Sequence, residues 1–382
     1  MAPLDDARAA LIRKCDAETF SGKIHAVSFQ PTPTRANEDR YVVQEWDDVF
    51  GSSPWLFLAV LDASSAGDYS PDEISKLLRF QIELFDCEIG EAVKRILPRP
   101  EELQALEDFD LQNLVQKIMS VPDNVHVCRR ANAGTTLAAA LIDRNNKHLW
   151  AIGLVLLNAG LDGSYYGETL LTLHNTFTPS EYARIKLSHP TSEQNIMENN
   201  RVLGVLSVTR ALGDFSFKLH PAYSKVFAKI PSSNGNLLVP DVTHDNHSPP
   251  YITATSEVRH IDISSLPRRT SVILHTDGVN NIIEGRYLFR KEDPCTADTA
   301  VVLGSLLSVP INQGALGDVF DYAVEPGWND DNRAVEILGN LLGGRDATRL
   351  TQVLTPDLLS MTGESGLYVD DTTIVVCPSF GM

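Results

Sequence analysis

Residues 271–278 read Ser-Val-Ile-Leu-His-Thr-Asp-Gly, an apolar run of strand length that stops at an acid and a glycine. Similar runs recur along the chain at 55–61, 136–142, 149–157, 168–173 and 373–376, with a shorter one at 40–43. Several are too uniformly apolar to alternate between core and water, which predicts strands buried on both faces. Helical patterns lie between them. One spans 71–85, with Ser70 as its N-cap and Pro71 at the first helical position. Others are expected over 101–119, 179–186, 298–307 and 332–342. Strands and helices mix without a regular βαβ alternation, so the expected class is α+β, with helices covering packed, mainly antiparallel sheets. No repeat, low-complexity tract or linker divides the chain, which favours one large domain.

Composition narrows the function. The chain has 382 residues, 43% of them apolar, and 32 basic against 50 acidic side chains give a net charge of −18. A surface that acidic repels phosphate backbones and anionic lipid, so neither nucleic acid nor membrane is an expected partner. Divalent cations are favoured wherever carboxylates converge. The five cysteines, Cys15, Cys87, Cys128, Cys295 and Cys377, show no Cys-x-x-Cys spacing and read as small apolar residues in a reducing compartment. The apolar stretch 150–161 is too short to span a bilayer. Asp5, Asp6, Asp16 and Glu18 make the first residues too acidic for an import presequence, so a cytoplasmic location is expected.

Acids stand at the ends of the apolar runs. Asp62 follows Trp-Leu-Phe-Leu-Ala-Val-Leu and Asp277 follows Ser-Val-Ile-Leu-His-Thr, both at C-terminal strand ends. Asp370 and Asp371 precede Thr-Thr-Ile-Val-Val, and Glu38 and Asp39 precede Arg-Tyr-Val-Val, at N-terminal ends. If the first pair of strands runs antiparallel to the second, all these acids meet on one rim. Oxygen-only ligands on such a rim suit Mg²⁺ or Mn²⁺. Taken singly, an acid at a strand end is more often a solvated turn residue; four together are less easily read that way.

The segment 200–218, NRVLGVLSVTRALGDFSFK, resembles the signature of the metal-dependent, type 2C protein Ser/Thr phosphatases. NEDR at 37–40, LAVLDA at 58–63, AGTT at 133–136, HTDG at 275–278 and DDTTIVV at 370–376 follow in the family's order. EYARIKLSHPTSE at 181–193 and PYITATSEV at 250–258 are similar to the pyruvate dehydrogenase phosphatase branch. The resemblance implies a central β-sandwich flanked by helices, with 1–20 as an N-terminal extension and 21–380 as a single phosphatase domain. It also implies two Mg²⁺ or Mn²⁺ ions at one end of the sandwich. Asp62 would bridge both ions. Asp277 and Asp370 would complete one, while Glu38 and the backbone carbonyl of Ala63 would serve the other. The implied reaction is direct in-line hydrolysis of phosphoserine or phosphothreonine in a phosphoprotein, carried by Asp62 and Asp277, with the ions stabilising the phosphoryl oxygens. The branch's mitochondrial matrix location is the alternative to the cytoplasm.

Four positions depart from the family pattern. The family reads Asp-Gly-His-x-Gly after its first metal strand, whereas residues 62–67 are DASSAG, so Ser64 or Ser65 replaces a leaving-group acid worth about 10²–10⁴-fold in rate. The family's Gly-Asp-Ser becomes Gly153-Leu154-Val155, and Asp162 replaces its acid only if the loop is rebuilt. Asp-Gly-x-x-Asp becomes DGVNN, with Asn281 at the second acid, so a third ion site is expected to be lost. Thr34 stands where many relatives have a phosphate-gripping Arg. Arg35, one residue later, is the candidate to replace it.

Two readings follow: a working phosphatase with weakened acid catalysis, or a pseudophosphatase that binds or regulates. Arg210 and Asp214 are expected to form a structural ion pair or turn contact, and Thr135 and Thr136 to begin a core strand. His275 is expected to lie too deep in the sheet for catalysis. His189 and His220 read as loop and surface residues.

Overall fold

The computed structural model describes residues 4–20, 23–31, 39, 41–47, 54–58, 70–143, 147–160, 162–170, 173–230, 246–267, 270–285, 295–317, 319–325, 328, 331–355 and 369–378. The elements in chain order begin with α1 (Leu4–Lys14), β1 (Cys15–Phe20), β2 (Ile24–Phe29), β3 (Val43–Asp47), β4 (Pro54–Leu58) and α2 (Pro71–Ile96). Next come α3 (Pro100–Gln104), α4 (Asp108–Met119), α5 (Pro122–Asn132), β5 (Gly134–Thr135), β6 (Ala139–Asp143), β7 (His148–Ile152), β8 (Val155–Ala159) and β9 (Tyr165–Thr169). Then follow α6 (Pro179–Ser188), β10 (Met197–Glu198), β11 (Arg201–Val202), β12 (Leu212–Gly213), α7 (Pro221–Phe227), β13 (Arg259–Asp262) and β14 (Thr270–His275). The chain closes with α8 (Asp277–Glu284), α9 (Thr299–Leu307), α10 (Gln313–Leu316), α11 (Arg333–Leu342), α12 (Ala347–Val353) and β15 (Thr372–Cys377). Contacts divide it into two compact units, 1–71 with 138–171 and 259–382, and 72–137 with 172–258.

The first unit holds a six-stranded sheet, ordered β1-β2-β15-β14-β8-β9, and a five-stranded sheet, ordered β13-β7-β6-β4-β3. Every pairing in both is antiparallel. Period-two alternation sends each strand's side chains to two different layers. Ile24 and Ala26 of β2, Leu156 of β8, Val272 and Leu274 of β14 and Val375 of β15 join Ala140, Ile142, Leu149 and Ala151 of the other sheet in one core. Their neighbours Val27, Phe29, Val155, Leu157, Ile273, Ile374 and Val376 face a helical layer containing α8, α9, α11 and α12. The α+β sandwich expected from the sequence is therefore present, and β2, β8, β14 and β15 have a core on both sides. Burying each such aliphatic side chain contributes about 1.5–3 kcal/mol.

Local signals explain several boundaries. The run 149–157, expected as one strand, is two, because Gly153 turns with φ +59° between β7 and β8. Asn332 caps α11, accepting from Ala334 and Val335 N–H, and Asp298 caps α9 through Ala300 N–H. Residues 4–20, read from the sequence as an extension, form α1 and β1; β1 pairs with β2 from Cys15–Phe29 to Phe20–Ile24. Leu11 of α1 is fully buried in the helix-side core.

The second unit is mainly helical. Ile89 and Val93 of α2 pack with Leu111, Val115 and Ile118 of α4, Cys128 of α5, and Val226 and Phe227 of α7. The helix expected over 101–119 is broken into α3 and α4. A second cluster gathers Ile185, Ile196, Val202, Phe217, Tyr251 and Ile252. Two ionic centres brace this unit. Glu181 accepts from Arg210 at 2.6 Å, Arg184 at 2.8 Å and Thr209 at 2.6 Å, and these partners hold its carboxyl well below the usual range against the cost of burial. Lys218 Nζ donates to both oxygens of Asp86 at 2.8 Å and to Ala211 O at 2.7 Å.

These contacts correct some expectations. Arg210 is in a structural ion pair as expected, and its partner is Glu181. Asp214 lies in the left-handed region at φ +51°, and desolvation and the nearby Asp86 push its pKa up to about 6 against the pull of Lys218. Thr135 is exposed in the two-residue ladder β5–β12, and the core strand begins only at Ala139. His189 is buried rather than a surface residue. Its ring stacks on Tyr251 at 4.4 Å, and Nδ1 contacts Ser248 Oγ at 2.9 Å. His220 Nδ1 accepts from Ala222 N–H and caps α7.

Candidate active site

The strand directions assumed from the sequence are found where they are described. His275 of β14 lies opposite Ile374 of β15, so the end of β14 and the start of β15 share one edge of the six-stranded sheet. In the other sheet, Leu58 at the end of β4 lies opposite Val43 at the start of β3. Asp277 opens α8 directly after β14, and Asp370 precedes β15. The two elements approach too closely for any side chain at Gly278, where a Cβ would lie 2.3 Å from Asp371 O and 2.4 Å from Thr372 Oγ1.

Asp277 feels two other carboxylates here, those of Asp370 and Asp39. Asp277 is open to solvent on one side, yet its pKa rises from 3.8 to about 6. Desolvation by the surrounding protein is the largest cause, followed by the charges of Asp370 and Asp39. Backbone N–H groups of the first turn of α8 act in the opposite sense but do not prevail. Asp370 accepts from Asp371 N–H at 3.0 Å and from Asn281 Nδ2 at 3.1 Å. Asp39 accepts from the Thr276 hydroxyl at 2.8 Å.

Among the sequence-predicted site residues, Asp277 and Asp370 are brought together. Glu38, Asp62, Ala63 and Arg35 lie outside the described residues, as do Thr34, Ser64 and Ser65. Among the described residues no three His, Cys, Asp or Glu side chains are placed to hold a metal ion by themselves. The donor chemistry of the edge nevertheless fits a hard cation: the ligand atoms are carboxylate oxygens, and the charge that raises the Asp277 pKa is negative charge a cation would offset.

The family-pattern departures also have locations. Leu154 is buried in the core between the sheets, so an apolar residue fills the position next to Gly153. Asp162 lies in the β8–β9 turn, accepting from Ser164 N–H and Oγ. Because Val155 pairs with Ile273 and Asn158 with Thr270, that turn is at the opposite end of β8 from Asp277. Asp162 therefore does not replace a lost acid. His275 shares the helix-side parity of Ile273, its Nδ1 lies 3.0 Å from Thr276 O, and burial lowers its pKa.

Sequence reasoning missed Thr276 and treated Asn281 only as a lost acid. One signal for Asn281 was present, since Asp277 and Asn281 are spaced i,i+4 and share a face of α8. Nothing in the sequence marked Thr276 apart from its place beside Asp277.

The family model described as Protein phosphatase 2C matches residues 57–288, more than half of the chain. Mitochondrial pyruvate dehydrogenase (acetyl-transferring) phosphatase 1 of Rattus norvegicus is 28% identical over 340 residues, covering 81% of this chain and 60% of its own length. The corresponding phosphatase 2 of Homo sapiens is 26% identical over 289 residues, covering 72% and 51%. The chain thus spans 60% or less of the length of these two relatives. A solved structure described as a C. elegans sex determining protein aligns with a TM-score of 0.41 at 17% identity, covering 95% of this chain and 66% of that one. A likeness at that level adds nothing to the assignment.

Proposed function

Because the chain belongs to the protein phosphatase 2C family, we propose that it is a metal-dependent protein phosphatase that hydrolyses phosphoserine or phosphothreonine in a phosphoprotein. The observation that carries this reading is geometric: Asp277 follows the end of β14 and Asp370 precedes the start of the antiparallel β15, with Asp39 hydrogen-bonded to Thr276 between the strands. Asp277 and Asp370 would hold Mg²⁺ or Mn²⁺ together with Glu38, Asp62 and the carbonyl of Ala63. When bound, the ions would supply electrostatic stabilisation of the phosphoryl oxygens and a more acidic water.

The chain's own residues shape the rest. Without a cation, desolvation and then the charges of Asp370 and Asp39 hold the Asp277 pKa above its ordinary value. β14 and β15 fix the directions of Asp277 and Asp370 through the antiparallel ladder. Arg35 is the candidate to grip the phosphate. No His stands in DASSAG, and His275, facing the helical layer, does not take its place. Water must then protonate the leaving serine or threonine oxygen, which predicts a slow enzyme. The relatives' names place them in mitochondria, which favours the mitochondrial alternative over the cytoplasmic expectation for this chain.

The test is hydrolysis of p-nitrophenyl phosphate and a phosphothreonine peptide with Mn²⁺, with Mg²⁺ and with chelator. Asp277→Asn runs alongside as the control for contaminating phosphatase. Metal-dependent turnover that disappears in the variant supports the proposal. Absence of turnover with Mn²⁺ still bound would make the protein a pseudophosphatase.

A further inference from the structure

We propose that Thr276 and Asn281 are positioning residues that fix the carboxylates of Asp39 and Asp370 beside Asp277. The inference rests on the cation-site reading of this edge and adds two residues to it, neither of them an acid.

The Thr276 hydroxyl has its single proton directed by geometry. Its oxygen accepts from Thr373 N–H at 3.0 Å, and it lies 2.8 Å from Asp39 Oδ2. An ionised carboxylate only accepts, so the hydroxyl proton goes to Asp39. The backbone of Thr276 is itself tied to β15, its N–H donating to Thr373 O at 3.1 Å. Asp39 is thereby held to the junction of β14 and β15, far from it in sequence.

Asn281 acts on the other acid. It stands one helical turn after Asp277 on α8, and its side chain lies 3.1 Å from Asp370 Oδ2. Only the amide nitrogen has a proton to give there, which settles the orientation of the side chain. Asp371 N–H takes the other oxygen of Asp370 at 3.0 Å, so both oxygens are tethered and the carboxylate plane is set. The close approach permitted by Gly278 is what brings Asn281 within reach. An aspartate at 281, which the family pattern would turn to a third ion, would present a second acceptor to Asp370 and could not tether it. The amide at this position therefore has a use of its own.

Untethered like-charged carboxylates turn away from one another, and an arriving cation must gather them again. Losing a hydrogen-bond partner of a ligating group lowers metal affinity by about 10–100-fold in general. The experiment is calorimetric titration of Mn²⁺ into chelator-stripped full-length protein at one pH and salt concentration. Parent, Thr276→Val, Thr276→Ser and Asn281→Ala are compared, with circular dichroism reporting the fold of each. Asn281→Ala, which frees the ligand Asp370, is expected to weaken Mn²⁺ binding by about 10-fold or more, Thr276→Val, acting through Asp39 beside the ligands, by more than about threefold, and Thr276→Ser to retain the parent affinity. Affinities within about threefold of the parent in both weakened variants would overturn the positioning role. Thr276→Ser falling as far as Thr276→Val would overturn it for Thr276, since methyl packing would then be what matters. Should Thr276→Val not fold, Asn281→Ala decides by the same criterion. A parent that binds no Mn²⁺ overturns the cation-site reading itself, an outcome distinct from the others.

Discussion

Asp277→Asn tests the electrostatics of the acidic edge without needing a substrate. Folding raises the pKa of Asp277 from 3.8 to about 6, so the native state holds this proton more tightly than the unfolded chain does. Stability is then unaffected by this group below pH 3.8, falls as pH climbs towards 6, and stays reduced above it. A shift of about two pKa units corresponds to about 3 kcal/mol. Asp277 is open to water on one side, and screening there reduces the expected penalty to about 1–2 kcal/mol. Asparagine has a similar shape and no charge, so in chelator the variant is expected to be more stable than the parent by that amount at pH 7.5. The two are expected to converge near pH 3.5. Asp214, also shifted up to about 6, is present in both proteins and cancels in the difference. Urea unfolding followed by circular dichroism at a series of pH values measures this. A variant no more stable than its parent at pH 7.5, or an advantage that persists undiminished at pH 3.5, would refute the reasoning. Saturating Mn²⁺ should reverse the order, because the parent alone keeps the full set of acids.

Two further variants probe the second unit. Lys218→Met removes the cation from a pair whose side chains are 6% and 11% exposed, leaving Asp86 uncompensated with Asp214 nearby, and should cost about 3–5 kcal/mol in a urea titration. A loss below about 1 kcal/mol would mean that water reaches the pair. Gly213→Ala places a Cβ 2.0 Å from Ala133 O at a backbone φ of +77°, and a loss of at least about 2 kcal/mol, or failure to fold, is expected. A melting temperature equal to the parent's would show that the β5–β12 ladder shifts freely.

The sheets were legible because hydrophobic burial writes itself into sequence. The runs at 271–274 and 373–376 became β14 and β15 with one residue added at each end, and Asp298 and Asn332 at the front of two helical patterns proved to be their caps. What escaped was set by context. α1, α5 and α12 carry mixed composition, and in α1 only Ala7 and Leu11 are buried, too few to mark a face. Gly153 divides what reads as one strand, since a positive φ leaves no trace in hydrophobicity. At the site, a strand-end acid is visible as a break in apolar pattern, and Asp277 and Asp370 were found that way. A threonine or asparagine that orients such an acid breaks no pattern. Arg210 was legible as a structural residue, but its partner was not, because Glu181 lies 29 residues away and only the folded chain brings the two together.

β15 lies between β2 and β14, and Thr373 Oγ1 meets Ser28 Oγ at 2.9 Å across a separation of 345 residues. Seen from the ribosome, that is a delay. At roughly 5–20 residues per second, β2 waits some tens of seconds after its own synthesis before its neighbour exists. Through that interval one edge of β2, and from its own synthesis onward one edge of β14, offers unpaired backbone groups to any other extended chain. A premature stop before residue 372 would produce more than a shorter protein. It would leave β1-β2 and β14-β8-β9 as two separate pieces of sheet, each with a raw edge that the last strand was meant to close.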